Sequence, residues 1–143
     1  MATPIPPTAR RLRGMFLLLG AGLLVWIPFE DSHLGWVILF ATLMAILAML
    51  QLGYAIHQQP WVERLPLVAR WSLAGIGAGL LIVPLALFLM AFKSGIHGHG
   101  RPDFSPEQVT AVLQRTPFFV LSATLCGIGI GFFHRFKSKD YAD

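Results

Sequence analysis

The residues best equipped for chemistry lie between Lys93 and Thr116, in the segment KSGIHGHGRPDFSPEQVTAVLQRT. His97 and His99 stand two apart. In an extended stretch, such a pair points to the same side. Two imidazoles with Asp103, or with His33 from an earlier loop, form a donor set suited to Zn²⁺ or Cu²⁺. The pattern names no rigid frame and no fixed fourth ligand, so the commoner outcome for such histidines is a solvated loop. Glu30, Asp31, His33, His97, His99 and Asp103 are the acids and imidazoles from which an outward-facing catalytic site could be assembled. No HExxH, GxSxG or phosphate-loop motif is present, and no paired carboxylates occur in an apolar run. No catalytic residue and no resident cofactor is therefore expected.

The elements that must carry this segment are long and apolar. The chain has 143 residues, 55% hydrophobic and 13% charged, and a mean hydropathy of +0.65. A soluble domain carries about 25% charged residues, so the bilayer is the expected solvent. Apolar runs cover 15–29, 34–56, 71–92 and 117–133. Crossing the hydrocarbon takes about 20 residues of helix. The second and third runs meet this; the first and fourth are short enough to need snorkelling flanks or a thinned bilayer. Runs of alternating polarity, as in a barrel, are missing. The expected fold is an all-α membrane protein of four transmembrane helices in a domain over 15–133. A basic, Pro-rich tail over 1–14 precedes it and a tail over 134–143 follows. Arg10, Arg11 and Arg13 before the first run resemble a signal peptide's start. Glu30-Asp31-Ser32-His33 then follows in place of a small-residue cleavage site, so an uncleaved first span is expected.

Loop charge sets the orientation. Arg10, Arg11, Arg13, Arg64, Arg70, Arg135, Lys137 and Lys139 fall on one side, against Lys93, Arg101 and Arg115 on the other. The richer side faces the cytoplasm. Both termini are then cytoplasmic, in a cell (inner) membrane, and 93–116 is the second outer loop. Trp26, Trp36, Trp61 and Trp71 lie near span ends, as an interfacial belt would place them. The net charge of +4 thus reflects topology. It forms no basic stripe interleaved with aromatics, which argues against a nucleic-acid partner. The single cysteine, Cys126, excludes an internal disulfide and reads as a small packing residue.

Gly20-Ala21-Gly22-Leu23-Leu24 recurs as Gly77-Ala78-Gly79-Leu80-Leu81, and each copy is followed by a proline, Pro28 or Pro84. Ala41-Thr42-Leu43 recurs as Ala123-Thr124-Leu125. The matches keep their order, which points to a tandem-duplicated two-helix hairpin with a loop inserted in the second copy. Gly75 and Gly79, and Gly127 and Gly131, put small residues on one face of their helices, where backbones can approach closely.

Within 93–116, Gly95 to Phe104 reads as irregular. Ser105 as N-cap, Pro106 at the first position and Gln108 completing a capping box start a helix over about 106–115. Val109, Val112 and Leu113 make it amphipathic.

No charged group stands in the middle of any run. The polar residues there are Thr42, Gln51, Ser72, Ser122, Thr124 and Cys126, too few and too weak for a proton or ion pathway. The function expected is that of an accessory subunit, assembly factor or scaffold. It would contact a membrane-protein partner, or a second copy of itself, through the glycine faces and the outer loop. An oligomeric channel or transporter for a neutral or hydrophobic solute is the alternative, and metal binding through the His-rich loop the second alternative.

Overall fold

The computed structural model describes residues 7–29, 33–56, 62, 64–97 and 102–139, with only the backbone of 7–9, 56, 97 and 137–139. The described residues form five helices and no strand: α1 (Pro7–Trp26), α2 (Leu34–Ile56), α3 (Leu67–His97), α4 (Pro106–Gln114) and α5 (Thr116–Lys139). Three of them, α2, α3 and α5, are long and apolar enough to cross a membrane. In α1 the apolar stretch begins only after Arg13, leaving Gly14–Trp26.

Several boundaries differ from the sequence expectation: α1 ends at Trp26, α3 begins at Leu67, and α5 runs on to Lys139, inside the tail assigned to 134–143. The chain is already helical from Pro7, inside the tail assigned to 1–14. Proline at a helix start costs nothing, because its missing N–H would be unsatisfied there anyway. At the other end of the third run, α3 continues through Lys93 to His97. Gly95, Ile96 and His97 are thus helical, where an irregular loop was expected. Pro84 lies inside α3 without ending it, while the chain turns at Ile27 and Pro28, directly after α1.

The helices pack side by side in chain order. The α3–α5 pair is the most extensive, α2–α3 comes next, and α1 rests on α2. Small residues set these spacings. Val37, Ala41 and Ala45 on α2 are fully buried, as is Ala86 on α3. With Ala78, Ile82, Val83, Leu89 and Met90 they make one core, which runs on into Trp26, Ile27, Phe104 and Val112. The side chains outside this core are largely apolar. Leu121, Leu125 and Phe133 on α5 and Leu17, Leu18 and Leu24 on α1 are each more than half exposed. That surface suits lipid and would be a liability in water.

The α3–α5 seam is closed backbone to backbone. A Cβ on Gly79 would lie 2.5 Å from the Val120 Cα and 2.9 Å from the Phe119 carbonyl oxygen. One on Gly131 would lie 2.7 Å from the Val68 Cα. Those on Gly75 and Gly127 would run into the carbonyl oxygens of Ala123 and Trp71. In lipid, where hydrophobic burial contributes little between helices, such close approach supplies the association energy through dispersion. All four glycines suited to helix packing therefore press on the backbone of the opposite helix within one chain, which takes them out of reach of a partner. The seam ends in a stack of Trp71 on His134, centroids 5.6 Å apart and planes 1° from parallel.

The two candidate repeat copies pack differently. Gly77 meets the Met49 side chain, whereas its counterpart Gly20 has nothing within 4 Å. Gly79 presses on the α5 backbone, and its counterpart Gly22 touches only the Phe40 ring, at 3.5 Å.

Candidate functional site

Two places combine polar chemistry with a defined enclosure. The first is the end of the helices that carries Lys93. Ala86, Leu89, Met90 and Lys93 recur at i, i+3, i+4 and i+7, so one face of α3 holds them all. Because α3 does not stop at Phe92, Lys93 is carried on the core face and is only 1% exposed. Its Nζ sits 4.1 Å from the centroid of the Trp26 ring. A desolvated cation–π contact is worth about 2 kcal/mol. Burying an ammonium costs several kcal/mol, so the ring alone does not offset it, and Lys93 makes a further interaction as well. Trp26 is buried too, and its Nε1 has no acceptor among the described residues. It also packs against Phe40 at 5.4 Å. Trp26 therefore belongs to the core and not to an interfacial belt. Trp36, about half exposed, keeps a position such a belt would use.

Over this end lies α4. Its start is the capping box expected from Ser105 and Gln108. The Gln108 backbone N–H donates to Ser105 Oγ at 3.3 Å and the Ser105 N–H donates to Gln108 Oε1 at 2.8 Å. Val112 is fully buried and Phe104 nearly so. Leu113, assigned to the same apolar face, instead stands 48% exposed. Only Arg115 separates α4 from α5, and the Thr116 hydroxyl donates to the Leu113 carbonyl at 2.6 Å. The Glu107 carboxyl is fully exposed. Hydrogen bonding from the Ser105 side chain, and then from its own backbone N–H, holds it below the usual carboxylate range against a weak desolvation effect.

The residues proposed to hold a metal are not all described. His99 lies outside the described residues, as does the side chain of His97; so do Glu30 and Asp31 of the candidate catalytic set. Asp103 is tied to the end of α3 by its N–H, which donates to Ser94 Oγ at 3.1 Å. Among the described residues no three His, Cys, Asp or Glu side chains gather as a metal site would require.

Two of the polar residues in the apolar runs satisfy themselves. Ser72 donates to the Val68 carbonyl at 2.8 Å and Thr124 to the Val120 carbonyl at 2.6 Å. Cys126 is exposed on the outside of α5, so it is not the packing residue its surroundings suggested.

The second enclosure lies at the opposite end, between α1 and α2. Leu12, Arg13, Gln51 and Tyr54 line an open groove of about 200 Å³.

Sequence reasoning missed the burial of Lys93, counting it as the first residue of a solvated loop. No sequence signal marks it: the helix is apolar on every face, so only its neighbours decide that the face carrying Lys93 is the buried one. In comparisons with known proteins, no family model, no curated protein and no solved structure matches this chain.

Proposed function

We propose that the chain is a four-span membrane protein, with both termini cytoplasmic, that serves as an accessory or scaffolding subunit of a larger membrane complex. The observation that carries the reading is the closed α3–α5 seam. Backbone meets backbone at Gly75, Gly79, Gly127 and Gly131, so no solute path fits along it. The self-bonded hydroxyls of Ser72 and Thr124 offer no stepping stones for an ion. These features favour a structural role over transport.

The fourth span is α1. Its apolar stretch is short, but it follows α2 from Phe40, beside Gly22 and Trp26, to Tyr54, beside Arg13. At 1.5 Å of rise per residue that shared length is about 20 Å, most of the depth of a bilayer core. Snorkelling arginines at its start extend the reach. Topology is tested with Cys126→Ser as background and single cysteines at Gln114→Cys or Arg64→Cys. An impermeant thiol reagent should label the first and spare the second in intact cells. The reverse pattern inverts the orientation, and labelling of both overturns the span assignment.

With the glycine faces occupied, the contact falls to the outer cap, where Leu113 is exposed beside Gln114 and Arg115. Mild-detergent extraction with a tagged chain, followed by native sizing, should recover a partner at fixed stoichiometry. Leu113→Glu should release that partner and leave helicity intact. A bare monomer or homo-oligomer from native membranes refutes the accessory-subunit reading.

A further inference from the structure

The groove between α1 and α2 gathers unlike side chains: a guanidinium, an amide, a phenol and a leucine, from Arg13, Gln51, Tyr54 and Leu12. Arg10 and Arg11 stand exposed one turn or less from Arg13. Neither helix contains an acid, so nothing on them neutralises this charge. The C-terminal carbonyls of α2 oppose an anion, but with only about half an elementary charge, which fades within one turn. Three full positive charges outweigh that.

We propose that this groove is a headgroup site for an anionic glycerophospholipid. Arg13 holds the phosphate in its planar fork, and the Gln51 amide and Tyr54 hydroxyl supply the further donors lining the groove. A basic pocket between spanning helices at the cytoplasmic surface is the setting in which such headgroups bind. The neighbouring surface selects a lipid over a free phosphate. Leu17, one turn on from Arg13 along α1, is 76% exposed and offers an apolar path for the acyl chains. The lipid would fill the space left open between α1 and α2 at this end. The inference depends on the membrane reading and goes beyond it.

The test uses the full chain, purified in a mild detergent and examined by native mass spectrometry with phosphatidylglycerol or phosphatidylcholine. Wild type should retain phosphatidylglycerol in preference to phosphatidylcholine. Arg13→Gln should reduce that retention about tenfold, the loss of one strong charge-assisted contact. Arg13→Lys, which keeps the charge but loses the fork, should fall between. Arg64→Gln removes an equal charge at an exposed turn that does not line the groove and should retain lipid as wild type does. Equal losses in Arg13→Gln and Arg64→Gln, or equal retention of the two lipids by wild type, overturn the site. Displacement of the lipid by millimolar inorganic phosphate would make the ligand a soluble anion and overturn the lipid assignment. Circular dichroism of each variant separates lost binding from lost fold. Carbonate extraction tests the membrane reading separately: release of the chain into the soluble fraction ends that reading whatever the lipid result.

Discussion

Gly127→Ala is the sharpest probe of the α3–α5 seam, because Gly129, two residues on, provides its control. An alanine Cβ at position 127 would collide with the Trp71 carbonyl oxygen and lie 3.0 Å from its carbon. Both groups belong to helix backbone, so no side chain can rotate away and the two helices must separate. A gap of about 0.5–1 Å forfeits roughly a quarter to a half of each dispersion contact along the seam. Overpacking of this kind costs about 1–3 kcal/mol. Alanine returns up to about 1 kcal/mol through its better helix propensity, so a net loss of about 1–2 kcal/mol is expected. At position 129 nothing lies within 4 Å of the added methyl. Only the propensity gain applies there, and Gly129→Ala should be neutral or up to about 1 kcal/mol more stable. Reversible unfolding in mixed micelles, followed by far-ultraviolet circular dichroism, measures both. If the two variants behave alike, or if Gly127→Ala is as stable as wild type, the backbone-to-backbone seam is wrong.

Three other predictions concern the end of the helices that carries Lys93 and α4. A double-mutant cycle with Lys93→Met and Trp26→Leu should give a coupling energy of about 1–2 kcal/mol, as a desolvated cation–π pair does; coupling near zero would show that the ammonium does not sit on the ring. Ser105→Ala removes one arm of the capping box and should cost α4 about 1 kcal/mol, seen as faster amide exchange over Val109–Leu113 with α5 unchanged; unaltered exchange would refute the cap. Because the folded state depresses the Glu107 pKa below its ordinary 4.5, its carboxylate stabilises α4 above that value and stops doing so as pH falls through the lowered one. Protection factors in α4, with the intrinsic pH dependence of amide exchange divided out, should therefore fall on acidification in wild type and lose that Glu107-linked part in Glu107→Gln; identical acid responses would contradict the assignment.

Much of this protein is local and was legible as such. Uncharged runs longer than a soluble helix needs become helices whatever their neighbours, because backbone groups in an apolar solvent must be satisfied within the segment. The start of α4 is equally local: Ser105, Pro106 and Gln108 meet within one turn, so their spacing alone specifies the cap. Other features depend on which distant segment lies at the same depth, and no short-range pattern carries that information. Gly127 and Gly129 differ only in the direction they face, and the position of α3 decides that one is pressed against backbone and the other open. Lys93 looked like a loop residue because a charge after an apolar run usually meets water. It is buried because α3 continues past it and Trp26, some 70 positions earlier in the chain, lies beneath it. The lining of the groove between α1 and α2 follows the same logic: Arg13 and Tyr54 come together only because the two helices run antiparallel. Composition and periodicity thus determined the solvent, the helices and the cap. Tertiary contact alone decided which glycines are used, which charge is buried and where a polar groove opens, since each of those is a relation between segments remote in sequence.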